Sequence, residues 1–315
     1  MPQIYKKTIP KLLSSLSQKI IRTVLYFDIF DHPVNFEEII YFTADGLNKS
    51  QFDTELKSLI GDEILFKSRG FFSVRLDFDD LIIKRLEGER NANLQQKKAF
   101  DRAKFIGKFP FVKAAYISGS MSKGVMLEDG DVDFFIVTEP GRLWIARTFL
   151  ILFKKTFLFN SRKYFCLNYF IDSSRLEIEE KNVFTATETV TLKPIYDNGV
   201  YDRFREANTW VEEFMPNNKK EHVIHNGETS RHIAVLVERM LNNSFGDKLD
   251  QWFMSGTLKV WKRKFKYMEN VDFDVALKTR KYVSKHHPRN FQSKVLQALD
   301  QRIKDFEDNH QMKLK

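Results

Sequence analysis

The sequence predicts an α+β fold, and three observations carry that prediction. Apolar residues recur at helical spacing through residues 20–60 and again from about residue 228. Two short apolar runs, 112–118 and 133–137, flank a polar connection and read as neighbouring strands. A second pair, 64–66 and 71–74, flanks Lys67-Ser68-Arg69-Gly70 and reads as a hairpin. The expected organisation is a first domain at 1–78, a connecting helix at 79–108, a mixed-sheet core at 109–216 and a helical, basic domain at 217–315.

In the first domain Ile20, Ile21, Val24, Leu25 and Phe27 form a helical stripe that stops near Asp31-His32-Pro33. Asn35 is placed to cap a second helix bearing Phe36, Ile39, Ile40 and Phe42. Asp45-Gly46 marks a turn, and Ser50 is placed to cap a third helix with Phe52, Leu56, Leu59 and Ile60 on one face, ending at Gly61. Three helices and a hairpin resemble a winged helix-turn-helix. Its third helix, however, presents Asp53 and Glu55 outward beside Gln51, Thr54, Lys57 and Ser58. Acids there would meet phosphates, which argues against DNA binding and for a structural or docking role.

Residues 79–108 read as one polar helix, or two broken near Gly88, ending at Phe109-Pro110. Pro140-Gly141 opens an apolar helix from Leu143 to Leu158, interrupted by Arg147, Lys154 and Lys155 and too short to span a bilayer. Asn217-Asn218-Lys219-Lys220 is the clearest linker. Beyond it, stripes at Ile233–Leu241, Trp252–Trp261 and Phe291–Phe306 predict three helices. The run Lys259–Tyr267 interleaves bases with aromatics, a pattern that suits single-stranded nucleic acid but also a buried aromatic stripe beneath a solvated basic face. The spacing of Trp261 and Phe265 favours the second reading.

The most informative stretch lies within the core. Ala114–Ser118 leads into Gly119-Ser120, and after a polar connection a second apolar run opens with Asp131-Val132-Asp133. Alternation along a strand points Asp131 and Asp133 the same way. Two such carboxylates repel unless a cation joins them, and Mg2+ prefers oxygen ligands. Gly119 allows close backbone approach to a ligand, Ser120 adds a hydroxyl, and a helix starting there would offer N–H groups to a phosphate. Lys123 follows as a further phosphate contact. Arg142 is placed to reach a phosphate or, more commonly, to be a solvated helix-end arginine.

At these residues the chain resembles the DNA polymerase beta-like nucleotidyltransferase superfamily, whose signature is a hydrophobic strand, Gly-Ser, a short helix and then Asp-x-Asp in the next strand. Gly124 also falls where smaller members often carry a glycine. The resemblance covers residues 112–137. It implies a small mixed-sheet nucleotidyltransferase core and a metal-dependent transfer of a nucleoside monophosphate from a triphosphate such as ATP. The metal ligands would be Asp131 and Asp133, and the triphosphate seat Gly119, Ser120 and Lys123. The acceptor stays open between a small molecule, a protein side chain and an RNA end.

The superfamily usually adds a third carboxylate on a later strand. The strand Tyr164–Asp172 places Cys166, Asn168, Phe170 and Asp172 on one face if it alternates regularly. A mid-strand position gives Asn168, a weaker ligand, and breaks the pattern. A strand-end position gives Asp172 as the third catalytic acid, although Asp172 also reads as a turn residue before Ser173-Ser174. Glu188 is either a helix-dipole partner or a site acid, the former preferred. A chain lacking the third acid could instead bind nucleotide, or nothing, as a regulator.

Composition narrows the class. The chain has 315 residues, is 43% hydrophobic and 30% charged, and carries 30 Phe, so it can bury cores and stay soluble. Cys166 is the single cysteine, which excludes an internal disulfide and fits a reducing, cytoplasmic setting. The start, Met1–Lys7, lacks an apolar signal core. The net charge is +9, and residues 255–315 hold 15 Lys or Arg against 7 Asp or Glu, so the excess is C-terminal and favours polyanions. His222, His225, His232, His286 and His287 find no partner pattern for zinc, and no Ser-His-Asp set, Walker loop or Rossmann fingerprint is present.

Overall fold

The computed structural model describes residues 13–43, 48–161, 163, 165–218 and 231–314. The expected turn at Asp45-Gly46, Tyr164 at the head of its strand, the linker half Lys219-Lys220, and His222 and His225 lie outside the described residues, as do Met1–Lys7.

Two compact units divide the chain. One holds 1–85, 212–219 and 293–315, and the other 86–211 and 220–292. This division differs from the four expected segments, because residues far apart in sequence share one core.

In the first unit α1 (Ser15–Asp28), β1 (Val34–Asn35), α2 (Phe36–Phe42), α3 (Lys49–Gly61), β2 (Phe66–Ser68) and β3 (Phe71–Ser73) follow in order. The strands form an antiparallel sheet in the order β1-β3-β2. Asn35 and Glu38 make a reciprocal capping box at α2. Asn48, rather than Ser50, caps α3. The stripe Ile20, Ile21, Val24, Leu25 and Phe27 is buried, together with Phe52, Leu56 and Leu59 of α3. Arg85 reaches both oxygens of Glu38 and the carbonyl of Pro33, and together with His32 it holds the Glu38 carboxyl down at about 2 despite its burial.

Helix α4 (Asp79–Ile106) is continuous through Gly88. There the missing side chain makes room for Val125, whose Cγ1 would lie 2.7 Å from an added Cβ. The chain then runs through β4 (Val112–Ser118), α5 (Gly119–Ser122), β5 (Asp133–Thr138), α6 (Leu143–Phe157), β6 (Cys166–Asp172), α7 (Val183–Val190), β7 (Lys193–Asp197), α8 (Tyr201–Ala207), α9 (His232–Leu241), α10 (Ser244–Lys264), α11 (Asn270–Ala276), β8 (Thr279–Arg280) and β9 (Val283–Lys285). The sheet order is β7-β4-β5-β6-β9-β8, with β5 and β6 parallel. The region expected to be purely helical therefore adds two strands to the core sheet. Their hairpin is too short to carry a periodic signal.

One face of this sheet buries Ala115, Ile117, Phe134, Ile136 and Phe170 against Ala99, Ala103 and Ile106 of α4 and Trp144 and Leu150 of α6. The other face stacks Tyr116, Phe135 and Tyr169 in a row, with Phe204 of α8 set edge-on. Helix α10 holds the start of α6. Asp250 Oδ1 accepts the N–H groups of Trp144 and Ile145 at 2.8 and 2.9 Å, two donors the helix itself cannot satisfy. Helix α12 (Phe291–His310) begins at the end of the second unit and lies mostly in the first, where Arg302 pairs with Asp28.

Candidate active site

The site is assembled at one end of the sheet, where β4 stops and β5 starts. Ser118 pairs with Asp133 in the antiparallel ladder, so the Gly119 corner turns beside that aspartate. Gly119 adopts φ +67°, and a Cβ there would lie 2.6 Å from Asp133 Oδ2. Only glycine permits both the left-handed backbone and that approach. Ser120 is exposed at the corner. The Ser122 hydroxyl turns back to Gly119 O at 2.7 Å.

Asp131 and Asp133 are both half-buried, while Val132 between them is fully buried. Both acids line one cavity of about 730 Å3. Burial pushes the Asp133 carboxyl up to about 6, and the charges of Glu188 and Asp131 push the same way, whereas the Cys166 thiol and Lys123 oppose the shift. Burial likewise pushes the Cys166 thiol up to about 12, with Asp133 adding to it.

The third position is occupied by an amide. Asn168 Nδ2 donates to Asp133 Oδ1 at 2.5 Å, and the Cys166 thiol donates to Asn168 Oδ1 at 3.3 Å. The ladder explains this. Phe134 pairs with Leu167 but Phe135 pairs with Tyr169, leaving Asn168 as an extra residue in a β-bulge.

The same bulge corrects the expectation for Asp172. Regular alternation put Asp172 on the face of Cys166. The extra residue reverses the parity, so Phe170 joins the core of Phe134 and Ile136 while Asp172 pairs with Thr138. Asp172 therefore lies at the far end of β6 and on the opposite face from Asp133. There it accepts the N–H groups of Gly141 and Ser174 and the Ser174 hydroxyl. It is the turn residue, not a third site acid.

Lys123 is at the site but engaged. Its Nζ lies 2.6 Å from Glu188 Oε1 and 3.2 Å from Gly119 O. Glu188, on α7, is thus a neighbour of the acids rather than a helix-dipole partner alone. Arg142 is turned away, bound to Asp247 Oδ1 and the carbonyls of Gly141 and Asn243. Sequence reasoning did not anticipate Asp250, nor Cys166 as a partner of Asp133. For Asp250 no local pattern existed to find. For Cys166 the shared strand face was the signal.

Among the described residues no group of three or more His, Cys, Asp or Glu is arranged to hold a metal ion. His286 and His287 line the same cavity. The donor set does suit a hard divalent cation. Two carboxylates share the cavity, and burial, with smaller contributions from the charges of Glu188 and Asp131, raises the Asp133 carboxyl. Mg2+ commonly binds through one or two carboxylates, with water and substrate phosphates completing its shell.

Residues 97–221 match the model of the nucleotidyltransferase domain family. The chain carries a nucleotidyltransferase domain. The match is consistent with the DNA polymerase beta-like superfamily. The matched residues of this nucleotidyltransferase domain run from the second half of α4 through the Gly119 corner, both aspartates, Asn168 and Glu188. No curated protein and no solved structure matches the chain. Among the described residues no helix is long and apolar enough to cross a membrane.

Proposed function

We propose that this protein is a Mg2+-dependent nucleotidyltransferase that moves a nucleoside monophosphate from a nucleoside triphosphate to an acceptor. The observation that carries the reading is the contact of the Gly119 corner with Asp133, with Asp131 beside it on one cavity. Asp131 and Asp133 would hold the metal, whose chemistry is to neutralise charge on the triphosphate. Gly119 and Ser120 would seat the phosphates through backbone approach and a hydroxyl. Lys123 would join them by exchanging Glu188 for a phosphate oxygen, a trade of one anion for another. Asn168 holds Asp133 Oδ1 and so orients the carboxylate, but its amide takes no proton and carries no charge. An acceptor oxygen attacks the α-phosphorus, a hydroxyl acceptor giving its proton to water, the bridge to the β-phosphate breaks, and pyrophosphate leaves.

The test is titration with ATP, CTP, GTP and UTP in the presence of Mg2+, followed by pyrophosphate release over a panel of small-molecule, protein and RNA acceptors. Absence of nucleotide binding sinks the reading. Binding without pyrophosphate from any acceptor favours a second reading, a nucleotide-binding regulator, which the neutral Asn168 at the third position supports. The exposed Lys262, Arg263 and Lys264 leave an RNA acceptor testable by charge reversal, since phosphate contacts lose affinity steeply with salt. The first unit, with its winged helix-like order of elements and an exposed Asp53 on α3, would have a structural or docking role rather than DNA binding; Glu55, expected outward, instead accepts from the Ser17 hydroxyl of α1. The lone buried thiol suits a cytoplasmic setting.

A further inference from the structure

The cavity lined by the two aspartates is also lined by a buried cation that has no carboxylate partner among the described residues. Arg147, on α6, is 8% exposed and lines the cavity. Its guanidinium lies 5.4 Å from the ring of Trp144 and 4.9 Å from that of Trp261, between two aromatic faces. Among the described residues no carboxylate pairs with it. Burial alone lowers its pKa, to about 10, and no neighbouring charge alters that, so it stays charged at neutral pH. A buried, unpaired charge is retained at a cost, and two aromatic rings offset only part of it. Its planar fork matches phosphate and carboxylate oxygens.

Position separates Arg147 from the triphosphate seat. Helix α6 runs back from the end of β5 to the start of the parallel β6, so Lys154 near its C-terminus lies toward the end of the sheet that carries Asp133. Arg147 lies seven residues earlier, about 10 Å back along the helix. The cavity is therefore lined by Asp131, Asp133 and Lys154 toward one end and by Arg147 toward the other. The exposed bases Lys155, Lys264 and Arg289 line it as well.

We propose that Arg147 is the receptor for a phosphate group on the acceptor, and that the acceptor is a phosphorylated small molecule. This rests on the nucleotidyltransferase reading for the word acceptor. The anion site itself does not depend on it.

Inorganic phosphate is the probe, titrated into the full chain without metal or nucleotide at constant ionic strength. Binding is read by tryptophan fluorescence, because Trp144 and Trp261 flank the guanidinium. The expected result is saturable uptake that weakens at least tenfold in Arg147→Met, while Mg-ATP binds that variant as it binds the wild type. Equal phosphate uptake by both proteins overturns the proposal. So does a wild type that takes up no phosphate by about 10 mM, weaker than any useful recognition, and this result needs no variant. A tenfold loss of Mg-ATP affinity in Arg147→Met overturns it differently, by assigning Arg147 to the triphosphate. Should Arg147→Met fail to fold, Arg147→Lys replaces it, and the lost fork is expected to weaken phosphate severalfold. Failure of Mg-ATP to bind while phosphate still requires Arg147 sinks nucleotidyl transfer and leaves the anion site in place.

Discussion

Asn168 Nδ2 sits 2.5 Å from Asp133 Oδ1, and this one contact sets the charge of the site. A carboxylate at that position would give three acids around one cavity, and the amide leaves two. Asn168→Asp tests the relationship. In chelator the added charge faces Asp133 directly and raises its carboxyl further, so the variant is expected to lose about 1–3 kcal/mol at pH 7. Millimolar Mg2+ is expected to restore more stability to the variant than to the wild type. Thermal unfolding with and without Mg2+ measures both. An Mg2+ response no larger than that of the wild type would contradict the assignment of Asp133 as a ligand.

Gly119→Ala is expected to damage the site more than its size suggests. The methyl group would meet Asp133 Oδ2 at 2.6 Å, and φ +67° strains any L side chain. A loss of about 1–3 kcal/mol in denaturant unfolding is expected, with nucleotide binding impaired alongside. Gly124→Ala is the control. It shares a positive φ but has nothing within 4 Å, so it is expected to keep nucleotide binding.

Asp131→Asn and Asp133→Asn each remove one charged donor while preserving shape. Each is expected to lower pyrophosphate release by two orders of magnitude or more, roughly the cost of one essential electrostatic contact. Circular dichroism should leave both folds unchanged. Near-normal turnover in Asp131→Asn would remove Asp131 from the metal site. Excess EDTA should abolish turnover of the wild type.

Asp250 gives a pH signature separate from the site. It is 3% exposed, and burial pushes its carboxyl up to about 6 even though it accepts two N–H groups of α6. A raised carboxyl means the folded state keeps a proton that the unfolded chain has released. Its contribution to stability is therefore complete below the ordinary carboxyl value of 3.8 and is lost as pH rises through about 6. Over that window the wild type should lose about 3 kcal/mol relative to Asp250→Asn, taking 1.36 kcal/mol per unit. Asn keeps the acceptor oxygen, so it should match or exceed the wild type at pH 7, whereas Asp250→Ala should fall below Asp250→Asn by about 1–2 kcal/mol from the lost cap. Urea unfolding of the three proteins from pH 4 to 7 decides the sign.

Local patterns made several parts of the protein legible. The stripes of α1, α3 and α12 were readable because burial on one helix face forces a 3.6-residue period, whereas α9 forms although Ile233, Leu236 and Met240 of its apolar stripe are exposed. Asn35 was readable as a cap because its side chain acts within three residues. Gly119, Asp131 and Asp133 stood out because the corner and the strand that follow one another in sequence also meet in space. Arg147 was visible only as a base interrupting an apolar helix. Its flanking by Trp144 and Trp261 required α10 to be in place.

The chain by itself determined the glycine corner, the paired aspartates and most helices, since each depends on neighbours a few residues away. The tertiary structure decided which side chain completes the site and which stays outside it. A single extra residue in β6 brought Asn168 to Asp133 and sent Asp172 to the other face, and no rule of alternation foresees a bulge that only pairing with β5 creates. It also decided that residues 279–285 extend the sheet and that Asp250 caps a helix more than a hundred positions earlier. Those pairings arise from hydrogen bonds and burial between distant segments, where sequence separation carries no signal.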